Sequence, residues 1–354
     1  MRARLSGPLV RLFALVLIAL ATFGCAPREE QAYKRQFFAL GTLVEITLWG
    51  VDEERAAQAV RSAENAINAA HMRWHAWQPG ELTDINAALA AGRSFTASPE
   101  TAVALRQART LAIDSGHLFN PAIGALVQLW GFHDSERPLG PPPPASAITP
   151  LLAAAPRMEQ LEIDEDGRVS SANPAVQLDL GAFAKGHAVD QAIAALRELG
   201  ITDAIVNAGG DLRAIGRHGA RPWRIGIRQA DGAGVFASVE VEGDESLFTS
   251  GDYERYFEFE GKRYHHILDP RSGMPAAGTH SVTIIHDEGA TADAAATALF
   301  VAGPREWAAV ANALGITQAM LVDADMTVHM TPAMAGRVHF ENSPPPTTRV
   351  VDPS

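Results

Sequence analysis

Short segments of alternating apolar and polar residues crowd the second half of the sequence, and they limit the fold more than any other feature. Five of these segments lie at residues 204–207, 223–228, 236–241, 256–259 and 281–285. Such alternation is typical of β-strands with one buried face. Helical patterns are interspersed with the strands without a regular strand–helix–strand rhythm. The sequence therefore predicts an α+β fold of mostly antiparallel sheets flanked by helices, rather than a doubly wound parallel sheet.

Local signals mark where several helices begin and end. The predicted helices lie at residues 53–72, 99–115, 184–199, 291–300 and 304–314. Ser98 and Pro99 are a typical N-cap and first helical residue, and Gly200 is a typical residue for ending a helix. These helices supply the layers that are expected to cover the sheets.

Charge and cysteine content exclude several classes of protein. The chain has 354 residues and a formal net charge of -12, so a nucleic acid would be repelled and is not expected as a partner. It contains one cysteine, which excludes a disulfide within the chain and any zinc or iron–sulfur site built from several cysteines.

That cysteine, Cys25, follows a sequence with the features of a secretion signal. Three arginines among the first 11 residues precede an apolar run at 12–22, and Gly24 stands directly before Cys25. This pattern resembles a bacterial lipoprotein signal, in which the cysteine is lipidated and becomes the new N-terminus. We expect residues 1–24 to be removed and residues 25–35 to be a tether to the cell membrane, with the protein facing the periplasm. Ordinary secretion with an incidental cysteine is the alternative.

The C-terminal residues of the sequence have a composition that is unusual for a folded segment. Residues 341–354 include a run of three prolines and show no apolar periodicity. Such a composition predicts a disordered tail. The folded part of the protein is therefore expected at residues 36–340.

Three segments carry candidate chemistry. Residues 264–273 read YHHILDPRSG, and the two histidines are a base with an orienting acid, a pair of metal ligands, or a polar loop. Asp293 and Thr297 are four residues apart on a predicted helix, so two hard oxygen donors share one face, although an aspartate near a helix start is usually a cap. Lys185 lies beside a predicted helix N-terminus, where a phosphate is favoured, but it is equally consistent with a surface lysine.

Two other patterns have simpler explanations. The glycines of Gly232-Ala-Gly234 imitate a dinucleotide fingerprint, but a strand follows them instead of a helix, so a hairpin turn is the better interpretation. His71 and His75 have the spacing of two metal ligands on a helix, but no third ligand is near in sequence. We interpret them as polar histidines at a helix end.

Taken together, eight segments resemble the ApbE family of FAD:protein FMN transferases, also described as flavin transferases or thiamine-biosynthesis lipoproteins. They occur in the family's order and span roughly residues 36–320. The segments are LGT at 40–42, WQPGELTDIN at 77–86, FNPAIGALVQLWGF at 119–132, DLGAFAKGHAVD at 179–190, NAGGD at 207–211, TSGDY at 249–253, HILDPRSG at 266–273 and ADAAATA at 292–298.

The resemblance implies a T-fold-like architecture and a specific reaction. Members of the family bind FAD, split its pyrophosphate with Mg²⁺, release AMP and join FMN through a phosphoester to a Thr or Ser hydroxyl of an acceptor protein. The acceptors are typically FMN-carrying subunits of membrane redox complexes. Two alternatives use the same residues: a Mg²⁺-dependent FAD pyrophosphatase, and a lipid-anchored flavin-binding protein without catalysis. A histidine kept at the position of the family's base argues against the second.

The resemblance also assigns roles by position. His266 is the expected base, and Asp269 is expected to orient it. The expected metal ligands are Asp293, Thr297 and the backbone carbonyl of Ala182. The expected FAD-binding residues are Leu40, Trp77, Leu118, Phe119, Asn120, Asp179, Lys185 and Ile267. Three of these depart from the family's common residues, because Leu40 replaces Met, Trp77 replaces Tyr and Asn120 replaces Asp.

Overall fold

Nine strands form the largest sheet of the protein. The computed structural model describes residues 32–134, 140–229, 234–341 and 343–353. In spatial order the sheet consists of β1 (Tyr33–Ala39), β2 (Thr42–Leu48), β6 (Ala204–Ala208), β7 (Asp211–Gly216), β10 (Gly243–Gly251), β13 (Thr279–His286), β14 (Gln318–Asp323), β15 (Val328–Met330) and β17 (Thr348–Val350). Neighbouring strands are antiparallel except for β15 and β17.

Three smaller antiparallel sheets complete the β structure of the described residues. The first joins β16 (His339–Phe340), β9 (Val235–Val241) and β8 (Trp223–Arg228). The second joins β3 (Phe95–Thr96), β5 (Arg168–Ser171) and β4 (Leu161–Ile163). The third is a ribbon of β11 (Tyr256–Phe259) and β12 (Lys262–His265). The α+β class with mostly antiparallel sheets is confirmed.

Helices cover the sheets, and three of them pack together over the large sheet. The helices are α1 (Glu53–Trp74), α2 (Glu81–Ala90), α3 (Pro99–Asp114), α4 (Gly124–Leu129), α5 (Ala145–Ala153), α6 (Ala184–Glu198), α7 (Gly289–Ala313) and α8 (Pro332–Ala335). Helix α6 contacts both α1 and α7, and α7 packs on β13 and β10. The apolar residues of α1 that were recognised from their spacing, among them Val60 and Ile67, are buried in this layer.

Local signals placed several helix ends correctly. The Ser98 hydroxyl accepts a hydrogen bond of 3.3 Å from the Thr101 N–H and caps α3. Gly303 has a φ of 70°, which breaks α7 into the two helical segments that the sequence predicts. Glycine adopts this left-handed conformation without strain, and Pro304 then suits the first turn of the second segment.

The predicted boundaries at the two ends of the folded region need correction. Residues 341–354 were expected to be disordered, but β17 pairs with β15, and the Val351 N–H donates 2.8 Å to the Met330 carbonyl. Without the tail, the edge of β15 would present unpaired N–H and C=O groups, and β17 forms hydrogen bonds with them. The composition of the tail alone does not reveal this long-range pairing. At the other end, Tyr33 already belongs to β1, so the sheet begins inside the segment expected to be a tether.

The N-terminal signal lies outside the described residues, as do residues 25–31 of the tether. Within the described residues, no helix combines the length and the apolar character needed to cross a membrane.

Candidate functional site

The N-terminal ends of α6 and α7 meet and cap each other. Asp293 of α7 accepts a hydrogen bond of 3.0 Å from the Gly186 N–H of α6. Asp190 of α6 in turn accepts from the Gly289 and Ala290 N–H groups of α7, at 2.9 and 3.0 Å. A Cβ atom at Gly186 would lie 2.1 Å from the Gly289 carbonyl oxygen, so the two helices approach this closely because position 186 is a glycine.

One lysine and three carboxylates gather beside this junction. Lys185 forms an ion pair with Asp211, whose other carboxylate oxygen accepts 2.8 Å from the Thr249 N–H. Burial alone would lower the pKa of Lys185, but Asp211, Asp293 and Glu254 together raise it. The cluster therefore holds more negative than positive charge.

That excess of negative charge changes the protonation of two of the acids. Loss of hydration, together with the Asp211 carboxylate and against the opposing effect of Lys185, raises the pKa of Asp293 to about 7. Glu254 keeps exposed surface, but loss of hydration, opposed by Lys185 and reinforced by Asp211, raises the pKa of its carboxyl to about 7 as well. A bound cation would relieve this repulsion, so the cluster favours one.

One more side-chain oxygen donor lies on the same helix as Asp293, and others lie on neighbouring segments. The Thr297 hydroxyl follows one turn later and lies 3.3 Å from the Ser250 hydroxyl of β10. Ala182 is in the turn that precedes α6. Among the described residues, no set of three or more His, Cys, Asp or Glu side chains is arranged to hold a metal. A hard cation such as Mg²⁺ fits the residues present if hydroxyl and backbone oxygens join the Asp293 carboxylate.

Trp77 and Asp179, both expected to contact FAD, contact each other. The Trp77 indole N–H donates 3.2 Å to Asp179, whose second oxygen accepts 2.8 Å from the Gly181 N–H. Leu40 lies at the turn between β1 and β2 with a φ of 55°. Five of the expected residues belong to or pack on one apolar cluster that extends to this site: Leu40, Trp77, Leu118, Phe119 and Ile267.

The Asn120 side chain bonds the protein's own backbone. Its amide donates 2.9 Å to the Pro156 carbonyl, and its oxygen accepts 3.1 Å from the Ala122 N–H. An aspartate in this place would keep the second bond but lose the donor for the first. The departure from the family's common residue thus has a local structural reason, and a contact of Asn120 with FAD stays a prediction.

His266 is neutral and held by one backbone carbonyl. Its backbone N–H and its ring Nδ1 lie 3.0 and 3.2 Å from the Arg255 carbonyl oxygen. A carbonyl carries no proton, so the hydrogen of the second bond is on Nδ1, which leaves a lone pair on Nε2. His266 is half-buried, and loss of hydration, followed by the effects of Arg255 and His265, lowers its pKa to about 3. The charge of Lys185 acts on the His266 pKa in the same direction.

Asp269 does not orient His266, and that expectation was wrong. Its carboxylate accepts bonds from the Arg271 backbone N–H at 2.8 Å and from the Arg271 guanidinium at 3.0 Å. Its carbonyl accepts from the Gly273 N–H at 2.8 Å, so Asp269 organises the turn after His266. The Asp269 carboxylate therefore finds its hydrogen-bond partners within the turn of five residues. Aspartate side chains commonly bond to nearby backbone groups in this way.

The two neighbouring histidines of the motif have different environments. His265 is buried and directs its Nε2 to the Ala276 carbonyl at 2.9 Å, away from the bond that holds His266. These contacts give no support to a pair of metal ligands. At the end of α1, His75 accepts 3.2 Å from the Trp77 N–H, and its ring packs edge-on against His71. Both contacts agree with polar histidines at a helix end.

Sequence reasoning missed the roles of Asp211, Glu254 and Arg255. Asp211 closes the segment NAGGD, which was recognised as a family motif without a role for its aspartate. Glu254 and Arg255 directly follow the segment TSGDY. A charged residue at the end of a motif or directly after it was the only available signal, and it does not reveal which side chains converge in space.

The sequence matches a family model and several curated relatives. The model of the ApbE family matches residues 40–321. An FAD:protein FMN transferase of Rhodobacter capsulatus is 45% identical over 321 residues, which are 89% of this chain but 60% of that relative's length. One from Klebsiella pneumoniae is 33% identical over 285 residues, covering 78% of this chain and 84% of the relative.

Solved structures of similar proteins have the same fold. The ApbE protein of Thermotoga maritima superposes with a TM-score of 0.80 at 30% identity, over 88% of this chain and all (100%) of that one. The flavinyl transferase ApbE of Pseudomonas stutzeri superposes with a TM-score of 0.73 at 29% identity, over 84% of this chain and 93% of that one. Sequence and structure agree over most of both chains, and this protein belongs to the ApbE family.

Proposed function

We propose that this protein is a flavin transferase that moves FMN from FAD to a Thr or Ser hydroxyl of an acceptor protein. The observation that carries the proposal is the neutral His266, whose Nε2 keeps a lone pair for a proton and whose ring is influenced by the charge of Lys185. A protein that only stored a flavin would not need a base at this position. The names of the relatives support the same reaction.

The reaction forms one phosphorus–oxygen bond and breaks another. The acceptor hydroxyl attacks the phosphorus on the FMN side of the pyrophosphate and gives its proton to Nε2 of His266. The bond to the second phosphate breaks, and AMP leaves with the electron pair. Displacement at phosphorus depends on alignment of the two oxygens and on neutralisation of charge. Lys185 contributes positive charge to the phosphates once they compete with Asp211 for its ammonium group.

The proposed reaction uses a divalent cation. When bound, Mg²⁺ would neutralise charge on the pyrophosphate and polarise its oxygens. Asp293, Thr297 and the Ala182 carbonyl would hold it, which fits the raised pKa of Asp293 and the hard oxygen donors beside it. Their shared location at the α6–α7 junction supports this assignment.

The site of action in the cell is proposed from sequence alone. Lipidation at Cys25 would anchor the protein to the membrane with its folded part in the periplasm. Acceptors that are FMN-carrying subunits of membrane redox complexes would be reached easily from that position. Globomycin treatment of cells that express the full chain should cause the unprocessed precursor to accumulate. Processing that is unaffected by the inhibitor, or that persists in a Cys25→Ala variant, would contradict the anchor.

The reaction is tested with purified protein, FAD, Mg²⁺ and a peptide that contains one acceptor Thr. We expect the peptide to gain the mass of FMN minus water and AMP to appear in equal amount. A matched peptide with Val in place of Thr should stay unlabelled. Free FMN and AMP without labelled peptide would contradict the transferase and would indicate an FAD pyrophosphatase instead.

A further inference from the structure

Arg255 connects the segment after α4 with the segment that carries His266. Its backbone carbonyl receives both hydrogen bonds from His266, at 3.0 and 3.2 Å. Its guanidinium donates to the carbonyls of Phe132 and Asp134, at 2.6 and 2.9 Å. Both bonds come from one guanidinium nitrogen, Nη2, and they tie the Arg255 side chain to the segment that follows α4.

The segment Trp130-Gly131-Phe132 supports the same histidine from two directions. The Trp130 indole N–H donates 2.8 Å to the Gly273 carbonyl, at the end of the turn that follows His266. The Phe132 ring packs edge-on against the His266 ring, with centroids 6.4 Å apart. Gly131 has a φ of 76°, a left-handed conformation that lets the chain turn between these two residues.

Several charged groups act on the His266 ring. Arg255 lies on the connection between β10 and β11, His265 lies at the end of β12, and Lys185 comes from α6. All of them disfavour a second proton on His266. Burial lowers the pKa of Arg255 itself, and the Asp179 carboxylate partly opposes that effect.

We propose that Arg255, held by the carbonyls of Phe132 and Asp134, is a positioning residue that fixes His266 in the tautomer with the proton on Nδ1. This tautomer directs the lone pair of Nε2 toward the acceptor hydroxyl. Only that last step rests on the proposed flavin transfer. The tautomer itself is a property of the protein alone and is measured without FAD or acceptor.

The test compares wild-type protein with Arg255→Gln by NMR of protein labelled with ¹⁵N histidine. In the wild type, His266 should show a protonated Nδ1 and an unprotonated Nε2 at pH 7. Arg255→Gln should produce a mixture of both tautomers and a higher pKa of His266. Arg263→Gln is the matched control, because Arg263 is an exposed arginine of the neighbouring strand β12, and it should leave the signals of His266 unchanged.

A tautomer and pKa of His266 that are the same in folded Arg255→Gln and in the wild type would overturn the proposal. If Arg255→Gln does not fold, Arg255→Lys serves in its place, since it keeps the charge but its side chain is one atom shorter and its ammonium group falls short of the position of Nη2 between the two carbonyls. We expect Arg255→Lys to retain the low pKa and still show mixed tautomers. A single Nδ1–H tautomer in that variant would equally overturn the proposal.

Activity provides a second readout. Loss of alignment at the base should lower kcat by about 10²-fold and leave the KM for FAD nearly unchanged. An effect on KM alone would mean that Arg255 acts in FAD binding, against the proposal. If the wild type shows no FMN transfer, the flavin transferase is refuted while the NMR result still decides the role of Arg255.

Discussion

Asp293 of α7 accepts a 3.0 Å hydrogen bond from the backbone N–H of Gly186 in α6, so an expected metal ligand also caps a neighbouring helix. Asp190 makes the reciprocal contact from α6 to the start of α7. Each helix thus supplies a carboxylate that accepts hydrogen bonds from backbone N–H groups at the N-terminal end of the other helix. This arrangement brings Lys185 and the oxygen donors of α7 to one place, and it gives Asp293 two separable roles.

Asp293→Asn should separate these roles. An asparagine oxygen still accepts from the Gly186 N–H, so we expect the protein to stay folded, but the loss of charge should abolish Mg²⁺-dependent turnover. Asp293→Ala should lose the cap as well, at a cost of about 0.5–2 kcal/mol in the free energy of unfolding. Mg²⁺ titrations of turnover and urea unfolding measure the two effects.

The control for this pair is Asp190→Asn, which removes a carboxylate from the same junction without touching the expected metal ligands. It should weaken the ion pair with Arg213 and lower stability while the Mg²⁺ dependence stays unchanged. Equal loss of turnover in Asp293→Asn and Asp190→Asn would contradict a metal role for Asp293.

Lys185→Met should destabilise the protein, because it leaves Asp211 as an uncompensated buried carboxylate. Removing one partner of a buried ion pair typically costs about 3–5 kcal/mol. The double variant Lys185→Met/Asp211→Asn should recover part of that loss while FAD binding remains weak. Urea unfolding and FAD titration monitored by flavin fluorescence provide the measurements. Full stability in Lys185→Met alone would show that the carboxylates do not depend on this lysine.

The low pKa of His266 predicts a specific pH dependence of stability. The pKa is about 3 in the folded protein and near its ordinary value of 6.5 when unfolded. Between these values the unfolded chain binds the proton and the folded chain does not, so stability falls as the pH decreases from about 6.5. Urea unfolding between pH 7 and 4.5 should show a smaller decline for His266→Gln than for the wild type. Parallel curves would contradict the low pKa.

The same pKa should respond to FAD. The negatively charged pyrophosphate favours the imidazolium form, so FAD added without a divalent cation should raise the pKa of His266. The ¹H–¹³C signals of the histidine rings report the titration directly. A pKa that does not move in protein saturated with FAD would mean that the phosphates lie far from this side chain.

Gly186→Ala should be severely destabilising, since its Cβ would lie 2.1 Å from a backbone oxygen of α7. Backbone atoms cannot move aside as the end of a flexible side chain does, so α6 and α7 would have to separate. Gly226→Ala is the matched control, because the nearest atoms there are valine methyl groups at 3.3 Å and beyond. Thermal unfolding should show a large decrease for the first variant and a small one for the second. Similar melting temperatures would refute the close contact.

The sequence predicted elements with strong local signals better than it predicted long-range contacts. The cap at Ser98 and the break near Pro304 follow from residue types within one helical turn, and both predictions were right. The pairing of β17 with β15 joins segments that are 20 residues apart, and proline content pointed to disorder instead. Local rules describe what a segment favours alone, and an exposed strand edge can override that preference.

The candidate site shows the same limit. His266 and Asp293 were identified by their place in family motifs, and in the structure both interact electrostatically with Lys185. The orientation of His266 was assigned to the nearest acid in sequence, Asp269, whereas a backbone carbonyl of Arg255 provides it. Sequence patterns report side chains, so they cannot reveal a role that belongs to the backbone of another segment.

The most direct test of the whole account is the rate of peptide flavinylation in a single turnover, measured for the wild type and for His266→Ala at saturating FAD and Mg²⁺. We expect His266→Ala to bind FAD with nearly unchanged affinity and to transfer FMN about 10²–10⁴-fold more slowly. Equal rates of FMN transfer by the two proteins would contradict the assignment of His266 as the base on which this account depends.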